Sequence, residues 1–163
     1  MREKTEAEIL HRMAAYCSLK ECCVQDIQKK LSLAGLAEEA GQRIVSRLIH
    51  EKFIDEARFA RAFVIDKLRF NKWGRVKIGY ELRKKGVEST VIEDALSAID
   101  EQEYLSILQE LLKSKKKTVT GKDKQAVLNK LLRFAAGRGY ESRDILSCLK
   151  KIDKGYVGED CFE

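Results

Sequence analysis

The chain has 163 residues, enough for one ordinary domain or for an array of small repeats sharing one core. Apolar residues make up 44% and charged residues 36%, there is no proline, and no stretch alternates apolar and polar residues for long; together these point to an all-α fold with long exposed helix faces. The net charge of +6 hints at a polyanionic partner, and the lack of any long apolar run excludes a membrane-spanning helix.

Five cysteines, Cys17, Cys22, Cys23, Cys148 and Cys161, form an odd count without the spacing of a disulfide framework. With no signal peptide in front of them, they read as reduced, buried or half-buried thiols of a cytoplasmic protein. His11 and His50 stand at no metal-ligand spacing, so neither a metal nor another cofactor is expected.

In chain order, Thr5 and Glu8 make a capping box that opens a helix reaching about Cys17. Ser18 and Glu21 repeat that pattern and predict a second helix to about Leu33, stopped by Gly35 in a left-handed turn. A third helix from Glu38 to about Lys52 turns Ile44, Val45 and Leu48 inward. From Asp55 a long amphipathic helix leads to a break at Trp73-Gly74, and a second, basic helix ends at Gly86. Phe59, Phe63 and Phe70 share one arc of the first of these and read as core. A later helix carries Leu105, Leu108, Leu111 and Leu112 into the cationic run 113–117, and the pattern from Thr120 to Asp123 starts another by the same capping logic, through Leu128, Leu131, Leu132 and Phe134. Residues 155–163 have no core pattern and are expected to be loosely ordered.

Three glycines organise this series. Gly35, Gly86 and Gly139 are followed by Leu36, Val87 and Tyr140. Ile27, Ile78 and Leu131 stand eight residues before them, and Leu31, Leu82 and Ala135 four before. Val45, Leu96 and Leu149 stand ten after, and Leu48, Ile99 and Ile152 thirteen after. The pattern is an internal repeat of about 50 residues. It predicts three tandem three-helix repeats, 1–54, 55–100 and 101–154, stacked as an elongated, curved helical array with 155–163 as a flexible tail.

Charge is distributed in blocks. Counting Lys and Arg against Asp and Glu, residues 58–85 carry +8, 86–112 carry −7 and 113–143 carry +8. Arg58, Arg61, Arg69 and Lys72 fall on one arc of the first central helix, and no acid of that helix lies among them. After the break, Arg75, Lys77, Arg83, Lys84 and Lys85 extend the charge, and Lys115, Lys116, Lys117, Arg133 and Arg138 form the second block. Trp73 reads either as a plug between helices or as an exposed stacking side chain. Cations without a pattern of base-reading side chains suit phosphate contact, so these residues are the candidate partner- and nucleic-acid-binding set, with binding non-specific and salt-dependent. No catalytic set emerges: Gly121-Lys122 lacks the upstream glycine of a phosphate loop, and no Ser or Cys has a base at a recognisable spacing.

The stretch LIHEKFIDEARFARAFV, from Leu48 to Val64, resembles the signature of the RecX family of RecA recombinase regulators, in which F-I-D-[DE]-x-R-F-A-x-x-F-V precedes a glycine-marked break and a basic helix of the form R-x-x-x-E-L-x-x-K-G. Here that helix is RVKIGYELRKKG, with Arg75 offset from the usual spacing, and Trp73-Gly74 stands where the family often has Gly-Pro. The resemblance implies a monomeric, non-enzymic tandem-repeat protein lying in the groove of the RecA–DNA filament. It would contact the recombinase and single- or double-stranded DNA without sequence preference. It would inhibit ATPase, strand exchange and co-protease activity and limit filament growth. From the residues alone, two alternatives stay open: a stand-alone nucleic-acid-binding or architectural protein, and a scaffold whose basic blocks dock an acidic protein.

Overall fold

The computed structural model describes residues 4–160, and over them the chain is all-α, with nine helices and no strand. They are α1 (Glu6–Leu19), α2 (Val24–Leu33), α3 (Glu38–His50), α4 (Glu56–Arg69), α5 (Arg75–Lys84), α6 (Ser89–Ser97), α7 (Glu101–Lys116), α8 (Lys124–Gly137) and α9 (Ser142–Asp160). No described helix is long and apolar enough to cross a membrane. The chain forms two compact units: the residues up to Phe63 with Glu81–Ala95, and Val64–Tyr80 with the residues from Leu96 onward.

In the first unit, Thr5 and Glu8 close their capping box reciprocally, at 3.1 and 3.2 Å. The second predicted box does not form. Ser18 lies inside α1, its hydroxyl donating to the Ala14 carbonyl at 2.9 Å, and a serine bonded back one turn has no need to cap. α2 starts only at Val24 and has no side-chain cap of its own; Glu56 of α4 supplies it, accepting from the Val24 N–H at 3.2 Å. The core gathers Ile9, Ile27, Leu31, Ile44, Leu48 and Ile54, with Met13, Tyr16 and Leu36 packed against it.

The second unit packs α7, α8 and α9 against one another around Tyr104, Leu108, Leu112, Leu131, Ala135 and Ile145. The box predicted from Thr120 to Asp123 does not cap at its threonine: α8 begins at Lys124, and Asp123 is the capping residue, accepting from the Ala126 N–H at 2.8 Å. α9 runs through Asp160, over part of the stretch expected to be loosely ordered; the rest of that stretch lies outside the described residues.

All three marked glycines take the left-handed conformation, with φ of +81° at Gly35, +79° at Gly86 and +95° at Gly139. Each donates to the carbonyl three residues back, and the next residue donates to the carbonyl five back, the double bond of a Schellman stop. α3 ends in the same way on Lys52, at φ +61° without glycine's freedom. The residues four and eight before each glycine are at most 2% exposed.

One core assignment is corrected. Phe59 is buried and Phe63 half-buried, with ring centroids 5.8 Å apart, but Phe70 is 79% exposed. It keeps the angular position of the other two yet follows the last residue of α4, where no packing element covers that face.

Candidate functional site

The candidate cations divide by what already holds them. In the first unit the Arg58 guanidinium donates to Glu21 at 2.6 Å and to the Lys52 carbonyl at 3.1 Å. Lys85 pairs with Asp26 at 3.1 Å, and Lys84 with Glu81 at 3.7 Å. Burial pushes the Asp26 carboxyl up, but the bond from Lys85 outweighs it and leaves the pKa below the usual value. Arg61 and Arg83 are exposed and have no ion-pair partner among the described residues.

In the second unit Arg69 meets Glu103 through both oxygens, at 2.7 and 3.3 Å. Acids from beyond α4 therefore neutralise Arg58 and Arg69, which α4 alone leaves unpaired. Arg75 turns inward. Its guanidinium donates to Glu141 at 2.9 Å and Glu101 at 2.5 Å, lies 3.7 Å from Asp144, and stacks 3.9 Å from the Tyr104 ring centroid. Tyr104 donates its hydroxyl proton to Glu141 at 2.5 Å and accepts from the Arg75 backbone N–H at 3.1 Å. Burial, then the neighbouring Glu141, raises the pKa of Asp144. Burial also pushes Glu141 up, but the bonds from Tyr104 and Arg75 prevail and hold it below the usual range.

The break before Arg75 is fastened to the turn after α8 by backbone. Gly74 donates to the Arg138 carbonyl and Val76 to the Gly139 carbonyl, each at 2.9 Å. Arg138 donates to the Asn71 carbonyl at 3.1 Å, and the Tyr140 hydroxyl to the Lys72 carbonyl at 3.0 Å. Lys72 itself is left-handed, at φ +58°. The first N–H groups of α5, which no helix can satisfy internally, thus meet the last carbonyls around the end of α8.

Trp73 is half-buried, and two ammonium groups lie over its ring, Lys77 at 4.6 Å and Lys67 at 5.2 Å from the centroid. Phe134 is covered likewise by Lys115 at 4.8 Å and Arg138 at 5.5 Å. Lys116 is half-buried, while Lys117 and Arg133 are exposed and without an ion-pair partner among the described residues. Cys17, Cys22, Cys23 and Cys148 are free and buried; burial, helped by Cys22, pushes the Cys17 thiol up to about 12, and burial takes Cys23 to about 11. The Cys17 and Cys23 thiols therefore stay protonated and are poor nucleophiles. Cys161 lies outside the described residues.

Sequence reasoning missed the anchoring role of Tyr104, Glu141 and Asp144. A tyrosine on an apolar helix stripe was the available signal, because a buried hydroxyl needs a partner.

A model of the second three-helix domain of RecX matches residues 55–96. Over 153 residues the chain is 31% identical to the regulatory protein RecX of Prosthecochloris aestuarii, covering 93% of this chain and 98% of that protein. The chain belongs to the RecX family. The RecX of Clostridium tetani is 30% identical over 130 residues, which is 78% of this chain but only 59% of that longer protein. The crystal structure of RecX from Lactobacillus salivarius has the same fold, with a TM-score of 0.81 at 18% identity over 91% of this chain and 96% of that one.

Proposed function

We propose that this RecX-family chain regulates the RecA recombinase by binding its filament on DNA, mainly as an inhibitor of ATP hydrolysis, strand exchange and co-protease activity that limits filament growth. The observation that carries the proposal is the near full-length likeness to a regulatory protein RecX. The protein acts without chemistry of its own. It shifts the filament by binding one of its states more tightly than another, and the shift is bounded by that difference in affinity.

The exposed cations supply the contact surface in this reading. Arg61 and Arg83 in one unit, and Lys117 and Arg133 in the other, keep their charge available to phosphates or to an acidic protein face. Arg58, Arg69, Arg75 and Lys85 serve first to hold the scaffold. The stretches 1–54, 55–100 and 101–154 are copies of one three-helix repeat, a division supported by the shared stops at Gly35, Gly86 and Gly139.

The test is DNA-dependent ATP hydrolysis by the cognate recombinase, with DNA in excess and this protein substoichiometric. Inhibition at low ratios is expected. Inhibition that begins only when the protein saturates the DNA would overturn filament binding and leave simple competition for DNA.

A further inference from the structure

The first unit carries a cavity of about 910 Å³ that the filament reading does not use. It lies beside α1 and the turn from α2 to α3, and its apolar wall includes Met13, Leu36 and Leu33. Leu33 is 88% exposed although it is a large aliphatic side chain next to the buried Leu31. Three cations, Lys4, Arg12 and Lys30, line the same cavity, and no acid among the described residues does. This is a local arrangement, because residues 1–57 together carry a net charge of −1.

Three acids of this unit are held elsewhere. Glu6 is tied to Arg43 by two bonds, at 2.9 and 3.0 Å, Glu8 closes the capping box with Thr5, and Asp26 is paired with Lys85. The end of α2 adds little negative potential, since its Lys30, Leu31 and Ser32 carbonyls are taken by the N–H groups of Ala34, Leu36 and Gly35. The Lys30 ammonium lies over the Tyr16 ring, 4.5 Å from the centroid, which positions it at the cavity, and it has no carboxylate partner among the described residues.

We propose that this cavity is the docking site for an acidic peptide segment of a partner protein, one whose apolar side chains seat against Met13, Leu33 and Leu36 while its carboxylates meet Lys4, Arg12 and Lys30. Charge complementarity selects the sign of the occupant, and the apolar wall selects its class. A sugar-phosphate backbone offers nothing for an exposed leucine and a methionine to cover, whereas an amphipathic helix or turn does. The flexible thioether of Met13 lets the wall adapt to more than one anchor shape.

The probe is a fluorescein-labelled synthetic amphipathic peptide with leucine and phenylalanine on one face and glutamate on the other, titrated with the full chain by fluorescence anisotropy. Saturable binding is expected. Leu33→Ser should weaken it roughly tenfold or more, the loss from uncovering one leucine. Arg12→Glu should weaken it comparably, while Leu146→Ser, which removes an exposed leucine from the other unit, should not change it. Leu33 and Arg12 are both exposed, so unchanged circular dichroism will show that the fold is intact. The proposal is overturned by failure to bind, by equal binding of a peptide with serine in place of its apolar residues, by equally effective displacement with an oligonucleotide of matched charge, or by variants that bind as the parent does. None of these outcomes bears on recombinase inhibition, which the ATPase assay tests separately.

Discussion

Gly74→Ala will be among the most damaging single-methyl additions to this chain. A Cβ there would lie 2.4 Å from the Gly139 carbonyl carbon and oxygen and 2.5 Å from the Tyr140 nitrogen. Those atoms are backbone, so no rotamer change relieves the overlap. The start of α5 and the turn after α8 must separate, and the Gly74 to Arg138 and Val76 to Gly139 bonds go with them. Leaving two such donors unmet costs about 1–3 kcal/mol each, or roughly 2–6 kcal/mol of the ~5–15 kcal/mol that holds a typical domain. Gly139→Ala meets the same obstacle from the other side, with its Cβ 2.3 Å from the Lys77 Cβ, and adds about 1–2 kcal/mol for its left-handed φ. Two glycines separate these causes. Gly35 is left-handed with nothing within 4 Å of an added Cβ, so its alanine variant should lose only the ~1–2 kcal/mol of backbone strain. Gly137 ends α8 in open space, and alanine there should gain about 0.5–1 kcal/mol. Equilibrium urea unfolding followed by Trp73 fluorescence reads the second unit, which holds the only tryptophan along with Gly74, Gly137 and Gly139, and far-UV circular dichroism follows the first unit for Gly35. A Gly74→Ala protein within about 1 kcal/mol of the parent would refute the clash argument, as would a Gly35→Ala loss equal to that of Gly139→Ala.

Other expectations follow from the same contacts. Lys52→Gly relieves a left-handed lysine and should raise stability by about 0.5–1 kcal/mol, after allowing for glycine's freedom in the unfolded chain, as a small rise in melting temperature. Tyr104→Phe leaves the Arg75 N–H without its acceptor and removes a donor from Glu141; it should cost about 2–4 kcal/mol in urea unfolding, more than Tyr140→Phe, which removes the single bond to Lys72. Asp144 has a raised pKa, so its contribution is fully present below its unfolded value of about 3.8 and is lost as pH rises through the folded value; Glu141, lowered, contributes above about 4.5 and loses that as pH falls through its folded value. Asp144→Asn should therefore gain on the parent as pH climbs from about 4 to 7, and a constant offset in melting temperature across that range would contradict the assignment. If the exposed cations contact phosphates, Arg61→Ala and Arg133→Ala should each lower the salt slope of DNA binding by about 1, measured by titration at several salt concentrations; unchanged slopes would place those contacts elsewhere.

What could be read from the sequence was the local part of the fold. A glycine followed by an apolar residue, with apolar residues four and eight before it, specifies a helix stop and its inner face without reference to distant chain, and Gly35, Gly86 and Gly139 all behave so. Lys52 makes the same turn unannounced, because its conformation is imposed by the bonds around it and not favoured by its own backbone. The candidate site was less legible. Helical angle shows which cations share a face, but not what folds onto that face. Glu21 and Glu103 do so at Arg58 and Arg69, and an acidic stretch that looked like a separator places Glu101 and Glu103 on Arg75 and Arg69. Phe70 shows the converse: its position on the apolar arc is right, but cover is missing. Ser18 carried a valid capping pattern and used its hydroxyl within α1 instead.

The fastening of the break to the turn after α8 sets an order on synthesis. Arg138 and Asn71 are 67 residues apart, which a ribosome adding about 5–20 residues per second spans in roughly 3–13 s. Until then the backbone donors at the start of α5 face water, and Lys72 has no hydroxyl on its carbonyl to hold its left-handed form. The first unit ends at Ala95, so its chain is complete while the second still lacks α7, α8 and α9. A nascent chain stalled in that interval presents the peptide cavity in full before the joint at Gly74 exists.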